Sequence, residues 1–116
     1  MKIRINGNFV RLRLSQSEVT QFGETGQVGD AIQFGQRSLT YRLASNNDAE
    51  VSVNFDGENI TVSVPKALAD DWIQTELVGF ENADQSNVRI LVEKDFQCLH
   101  KRSGEDESDN FPNPAA

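Results

Sequence analysis

The sequence predicts an α+β fold of mostly antiparallel β-structure: about eight strands in a barrel-like sheet with two short helices. Three observations predict it. Apolar residues alternate with polar ones in short runs, the period of a half-buried strand. Asn6-Gly7 and Asp56-Gly57 stand between paired runs, and both dipeptides suit tight hairpin turns because they tolerate positive φ. The order strand-strand-helix-strand-strand occurs twice, about fifty residues apart.

The first half opens with "KIRIN" (2–6) and "FVRLRL" (9–14), a hairpin around Asn6-Gly7. "SQSEVTQFGETG" then breaks the alternation: Ser15 and Glu18 form a capping-box pattern, Val19 and Phe22 give one apolar stripe, and Gly23 or Gly26 ends the helix. Strands follow at "DAIQF" (30–34) and "SLTYRLA" (38–44). The second half repeats the plan with "EVSVNF" (50–55), "NITVSV" (59–64), a helix over "PKALADDWIQT", a weak strand at "LVGFEN" (77–82) and a strong one at "NVRILVE" (87–93). Pro65 fits the first helical position, with Leu68, Ala69, Trp72 and Ile73 as the core-facing stripe.

The halves match position by position. Ile3 and Ile5 correspond to Val53 and Phe55, and Val10, Leu12 and Leu14 to Ile60, Val62 and Val64. Phe22 falls on Trp72 and Val28-Gly29 on Val78-Gly79; with one residue of slippage, Leu39, Tyr41 and Leu43 fall on Val88, Ile90 and Val92. Repeat one covers about 2–44 and repeat two about 50–93, within one β-rich domain over 1–102, followed by an acidic C-terminal tail over 103–116.

Charge narrows the function classes. The net charge is -7 and the pI about 4.6, which argues against a nucleic-acid partner. Yet residues 1–45 carry six basic and three acidic side chains, against five and fifteen over 46–116. No apolar run reaches the roughly 18 residues of a membrane span, and "MKIRING" is no export signal, so the expectation is a cytoplasmic, bacterial-type protein. A lone cysteine, Cys98, excludes an internal disulfide.

The basic residues lie on polar strand faces. Around the first hairpin Lys2, Arg4, Arg11 and Arg13 share one face, whereas the second half has Ser52, Asn54, Thr61 and Ser63 there. Arg42 and Arg89 also lie on polar faces of their strands, and Glu81 and Glu93 are available to pair with arginines. The polar face either covers the core from the solvent side or lines the interior of a barrel. Guanidinium groups suit phosphate or carboxylate because their donors form a fork. The expected function is a non-catalytic binding protein with no cofactor, taking a small anion at Arg4, Arg11, Arg13, Arg42 and Arg89. The alternatives are a metal-dependent phosphate-ester or polyphosphate hydrolase and a protein-interaction module. Cys98 and His100 are weak metal-ligand candidates, one residue apart with no second matched pair. In the acidic tail Phe111 is a candidate anchor, and docking on the basic face of the first half would neutralise part of it.

The eight-strand, two-repeat pattern over residues 2–93 is similar in architecture to the triphosphate tunnel enzymes, which implies a barrel with a channel lined by charged residues. Their Glu-x-Glu-x-Lys motif is absent from "KIRIN", so the resemblance carries no metal-dependent hydrolysis across. The segments "RLRLSQSEV", "VGDAIQFG", "VPKALADDW" and "ILVEKDFQCL", with the later "EDE" and "FPNP", resemble a family of small bacterial proteins of unknown function. That resemblance implies no activity and no site residues.

Overall fold

The computed structural model describes residues 1–97 and 107–113. The strands are β1 (Lys2–Ile5), β2 (Phe9–Leu14), β3 (Gln27–Phe34), β4 (Arg37–Asn46), β5 (Ser52–Asp56), β6 (Asn59–Pro65), β7 (Gly79–Glu81) and β8 (Arg89–Lys94). Helix α1 (Gln16–Thr25) follows β2, and α2 (Lys66–Gln74) follows β6. The order strand-strand-helix-strand-strand therefore occurs twice.

These strands form two four-stranded sheets, β1-β2-β8-β7 and β3-β4-β6-β5. The expected barrel does not close, because no described strand pairs across from one sheet to the other. Each hairpin is antiparallel, but the central pairs, β2 with β8 and β4 with β6, are parallel. The hairpin of each half thus pairs with the last strand of the other half. Both pairings use the same register: Val10 faces Ile90 and Leu12 faces Val92, while Ile60 faces Tyr41 and Val62 faces Leu43. The equivalence of Val28 with Val78 is off by two, since Leu43 faces Val28 but Val92 faces Phe80. Four residues separate α2 from β7, whereas Gly26 alone separates α1 from β3.

Local chemistry explains the helices. The Ser15 amide donates to Glu18 Oε1 at 2.9 Å, the reciprocal half of the capping box. Gly26, at φ 81°, closes α1 by donating its amide to the Phe22 carbonyl at 2.8 Å. Pro65, with φ -57°, precedes α2, where its missing amide costs nothing. At the C-terminal end of α2 the Lys94 ammonium donates to the Thr75 carbonyl at 2.8 Å, satisfying an orphan acceptor where the helix dipole favours a cation. Burial pushes the Lys94 pKa down.

Inner faces of both sheets and one stripe of each helix share a single core, including Leu12, Leu14, Phe22, Leu43, Val62, Val64, Trp72 and Val92. Trp72 sits at its centre, edge-on to Phe22 at 6.2 Å and to Phe80 at 5.5 Å between ring centroids. Its indole N–H donates to the Val78 carbonyl at 3.0 Å, so no polar atom of the ring is stranded. This packing fills the middle of the space between the two sheets.

The C-terminal stretch 107–113 packs against the body. Phe111 exchanges backbone bonds with Asp95 and Gln97, and its ring lies 6.0 Å from that of Phe96. The Asp109 carboxylate accepts from the Ser17 hydroxyl and amide at the start of α1, where a negative charge meets the positive end of the helix dipole. Within this described stretch Phe111 is an anchor beside Asp95, Phe96 and Gln97, and Asp109 reaches the start of α1.

Two measurements check these contacts. A Cβ on Gly79 would strike the Val92 carbonyl and lie 2.8 Å from Glu93 Cβ, so Gly79→Ala is expected to cost about 1–3 kcal/mol in urea unfolding. The Ser17 and Ser15 hydroxyls hold the Asp109 carboxyl below its ordinary 3.8. A group depressed in the folded state contributes stability that is complete above the unfolded value and lost as the pH falls through the folded one. The stability advantage of the native chain over Asp109→Asn is therefore expected at neutral pH and is lost progressively as the pH falls below the ordinary carboxyl range.

Candidate functional site

Strand alternation sends Val10, Leu12 and Leu14 into the core and turns Phe9, Arg11 and Arg13 outward on the same strand. On β1 Lys2 and Arg4 face the same way, and on β8 Arg89, Leu91 and Glu93 do so, alternating with the buried Ile90 and Val92. The arginines thus cover the core from the solvent side; they do not line an interior channel.

On this face five cations, Lys2, Arg4, Arg11, Arg13 and Arg89, meet three carboxylates, Glu81, Glu93 and Asp95. Arg11 donates to Glu93 Oε1 through Nε, at 2.6 Å, and also through a terminal nitrogen. Arg13 reaches Asp95 Oδ1 at 3.0 Å, with its Nε 3.5 Å from Glu93 Oε1. Lys2 Nζ takes the other oxygen of Asp95 at 2.9 Å. The Asp95 side chain is only 4% exposed, which makes this carboxylate the buried anchor of the network. At the far edge Arg89 pairs with Glu81 at 2.7 Å and lies over the Phe9 ring, 4.7 Å from its centroid. That ion pair holds the Glu81 carboxyl below its usual range.

Arg4 differs from the others. It stands directly opposite Arg11 across the β1–β2 pair, and among the described residues no carboxylate lies within ion-pair distance of it. Arg4, Asn6, Phe9 and Arg11 enclose a hollow of about 130 Å³. Arg11 has donors left over after Glu93, because a guanidinium carries five N–H groups.

Arg42 lies elsewhere. It is on β4, in the other sheet, alternating with the buried Leu43 and facing Gly29 across the β3–β4 pair. Its Nε is buried without a hydrogen-bond partner among the described residues. The five arginines expected to act together are therefore four on one outer face and one on the other. Alternation shows which face of a strand a residue takes, but not which sheet that strand joins. Cys98 and His100 lie outside the described residues. Among the described residues, no three His, Cys, Asp or Glu side chains group as metal ligands, and no helix is long and apolar enough to cross a membrane.

The sequence pointed to Glu81 and Glu93 as arginine partners but missed Asp95, Asn6 and Phe9. Asp95 follows the last strand, and its pairing depends on the parallel contact between β2 and β8. Asn6 was visible only as a turn residue. Phe9 carried a usable signal, since it begins the outward-facing row that continues with Arg11 and Arg13.

The chain belongs to a family of unknown function, DUF7009, whose model matches residues 1–115. No curated protein and no solved structure matches it.

Replacing the anchor tests the network. Asp95→Asn leaves Arg13 and Lys2 without their shared charge partner and is expected to lower stability by about 1–3 kcal/mol. The loss stays under the range for a fully buried pair because both cations retain access to water. Urea unfolding at low and high salt checks it, with the difference shrinking as salt rises.

Proposed function

We propose that this protein is a non-catalytic binding protein that takes a small oxyanion, a phosphate or a carboxylate group, on the outer face of the sheet β1-β2-β8-β7. The observation that carries this reading is the pairing of Arg4 with Arg11 across two strands while Arg4 has no acidic partner among the described residues. Two guanidinium groups held together repel each other, and an anion bridging them removes that cost while meeting their planar donors with matched acceptors. The Asn6 amide adds a neutral donor at the rim. Glu93 and Asp95 support the same arrangement by fixing Arg11 and Arg13, so that little side-chain entropy remains to be lost on binding.

Size narrows the ligand. About 130 Å³ is well below the roughly 300–1,000 Å³ of pockets for drug-sized molecules. The hollow suits an inorganic ion or the anionic end of a larger molecule. Arg13 and Arg89 orient the network, and Arg42 takes no part in this site.

Thermal unfolding with phosphate, pyrophosphate, acetate and citrate tests the proposal. Phosphate at a hundredfold its Kd is expected to stabilise the native chain by about 2.7 kcal/mol. Arg4→Ala abolishes the shift without lowering the melting temperature in the absence of anion, because Arg4 is exposed and has no ion pair among the described residues. An equal shift in Arg4→Ala, or no shift with any of the four anions, overturns the reading.

A further inference from the structure

The end of the molecule remote from the helices is apolar and open. Strands β2 and β6 run from this end toward α1 and α2, so the helices close the opposite end of the core. Between the sheets lies a groove of about 400 Å³, with walls that include Ile5, Leu39, Val53, Phe55, Ile60 and Val88. Ile5 and Phe55 are equivalent positions in the two halves, as are Leu39 and Val88. They leave 61% of Ile5 and 69% of Phe55 exposed.

Beside the groove stands a projection that only the first half possesses. Strand β4 pairs with β6 from Thr40 onward, so residues 37–39, with the β3 residues opposite them, extend beyond the sheet as a two-stranded hairpin. Gly35, at φ 60°, forms its turn. Ile32 and Phe34 continue the face of β3 that carries the buried Val28, yet they are 47% and 60% exposed. The corresponding strand of the second half, β7, has three residues and projects nothing.

We infer that a second copy of this chain covers this end, in a two-fold dimer in which the hairpin tip of each copy fills the groove of the other. A projection and a hollow of the same apolar character sit side by side on one patch, which is the self-complementarity that a two-fold contact requires. Area supports it. Taking about 200 Å² for each aromatic side chain, Phe34 and Phe55 together with Ile5 and Ile32 expose on the order of 400 Å². That is about half of the roughly 800 Å² per partner of a stable interface, and the half-buried groove walls Leu39, Val53, Ile60 and Val88 add to it. Charge does not oppose it. Although each copy carries -7, the nearest charged residues are of both signs: Arg37 is paired with Glu58 at 3.1 Å, and Arg4 and Asp56 adjoin Ile5 and Phe55.

Sedimentation equilibrium of the full chain, with light scattering as a second measure, tests the inference. The expected mass is twice 12.9 kDa. Phe34→Asp, and separately Phe55→Asp in the groove, weaken association by at least about thirtyfold while far-ultraviolet circular dichroism stays native. Ile32→Lys replaces Phe34→Asp if the latter fails to fold. A native chain that stays at 12.9 kDa up to its solubility limit overturns the inference, as does a dimer that none of these variants weakens. A monomer whose groove takes up a fatty acid, with the Ile5 and Phe55 resonances shifting, overturns it in favour of an apolar small-molecule site.

Discussion

Parallel pairing of β2 with β8, matched by that of β4 with β6, is the constraint on which the remaining structure rests. Neither half completes a sheet from its own strands. The first hairpin has nothing beside it until the final strand arrives from the other half, and the second hairpin depends in the same way on β4. The common register follows from the common core. Leu12 with Val92, and Val62 with Leu43, are buried side by side, and a slip of one residue would turn every one of these side chains to solvent. Trp72 then fills the middle of the space that the exchange encloses, between Phe22 and Phe80.

With the inner faces committed to packing, the outer faces are free to differ, and they do. One sheet carries arginines interleaved with Glu81, Glu93 and Asp95 on its outer face; the outer face of the other carries Ser52, Asn54, Thr61 and Ser63 together with Arg42. Equivalent scaffolds therefore present unlike chemistry to solvent. Most of the cationic charge is used internally, in ion pairs that tie β2 to β8 across the contact between the halves. Arg4 stands outside that accounting, and it is the residue on which the ligand proposal turns. The same division explains why a chain of net charge -7 keeps a local excess of positive charge on one surface.

Much of this fold was legible in the residues. Period-two alternation located every strand, including the weak one around Phe80, and the Ser15–Glu18 pair located the start of α1. Asn6-Gly7 and Asp56-Gly57 announced the two equivalent hairpins, and Gly7 and Gly57 do adopt positive φ. What alternation cannot encode is which strand lies beside which. Eight strands in two repeats suggested closure into a barrel, whereas the long-range choice of parallel partners divided them into two sheets. The same gap scattered the expected arginine cluster, because Arg42 shares the pattern of Arg11 but not its sheet. It also hid Asp95, which sits in no periodic run and gains its partners only when β8 lies against β2. The hairpin over residues 27–46 was seen as two strands, yet its projection beyond the body depends on where β6 begins to pair, a matter of register between distant segments.

The exchange of strands also sets a timetable for biosynthesis. Leu14 ends a strand whose parallel neighbour is finished only at Lys94, eighty residues later. At about 5–20 residues per second, the nascent hairpin waits about 4–16 s on the ribosome with one apolar face and one unpaired edge uncovered. During that interval it offers neighbouring nascent chains the template that β8 will later occupy. Translation speed over the second half of the message thus sets how long that edge stays open.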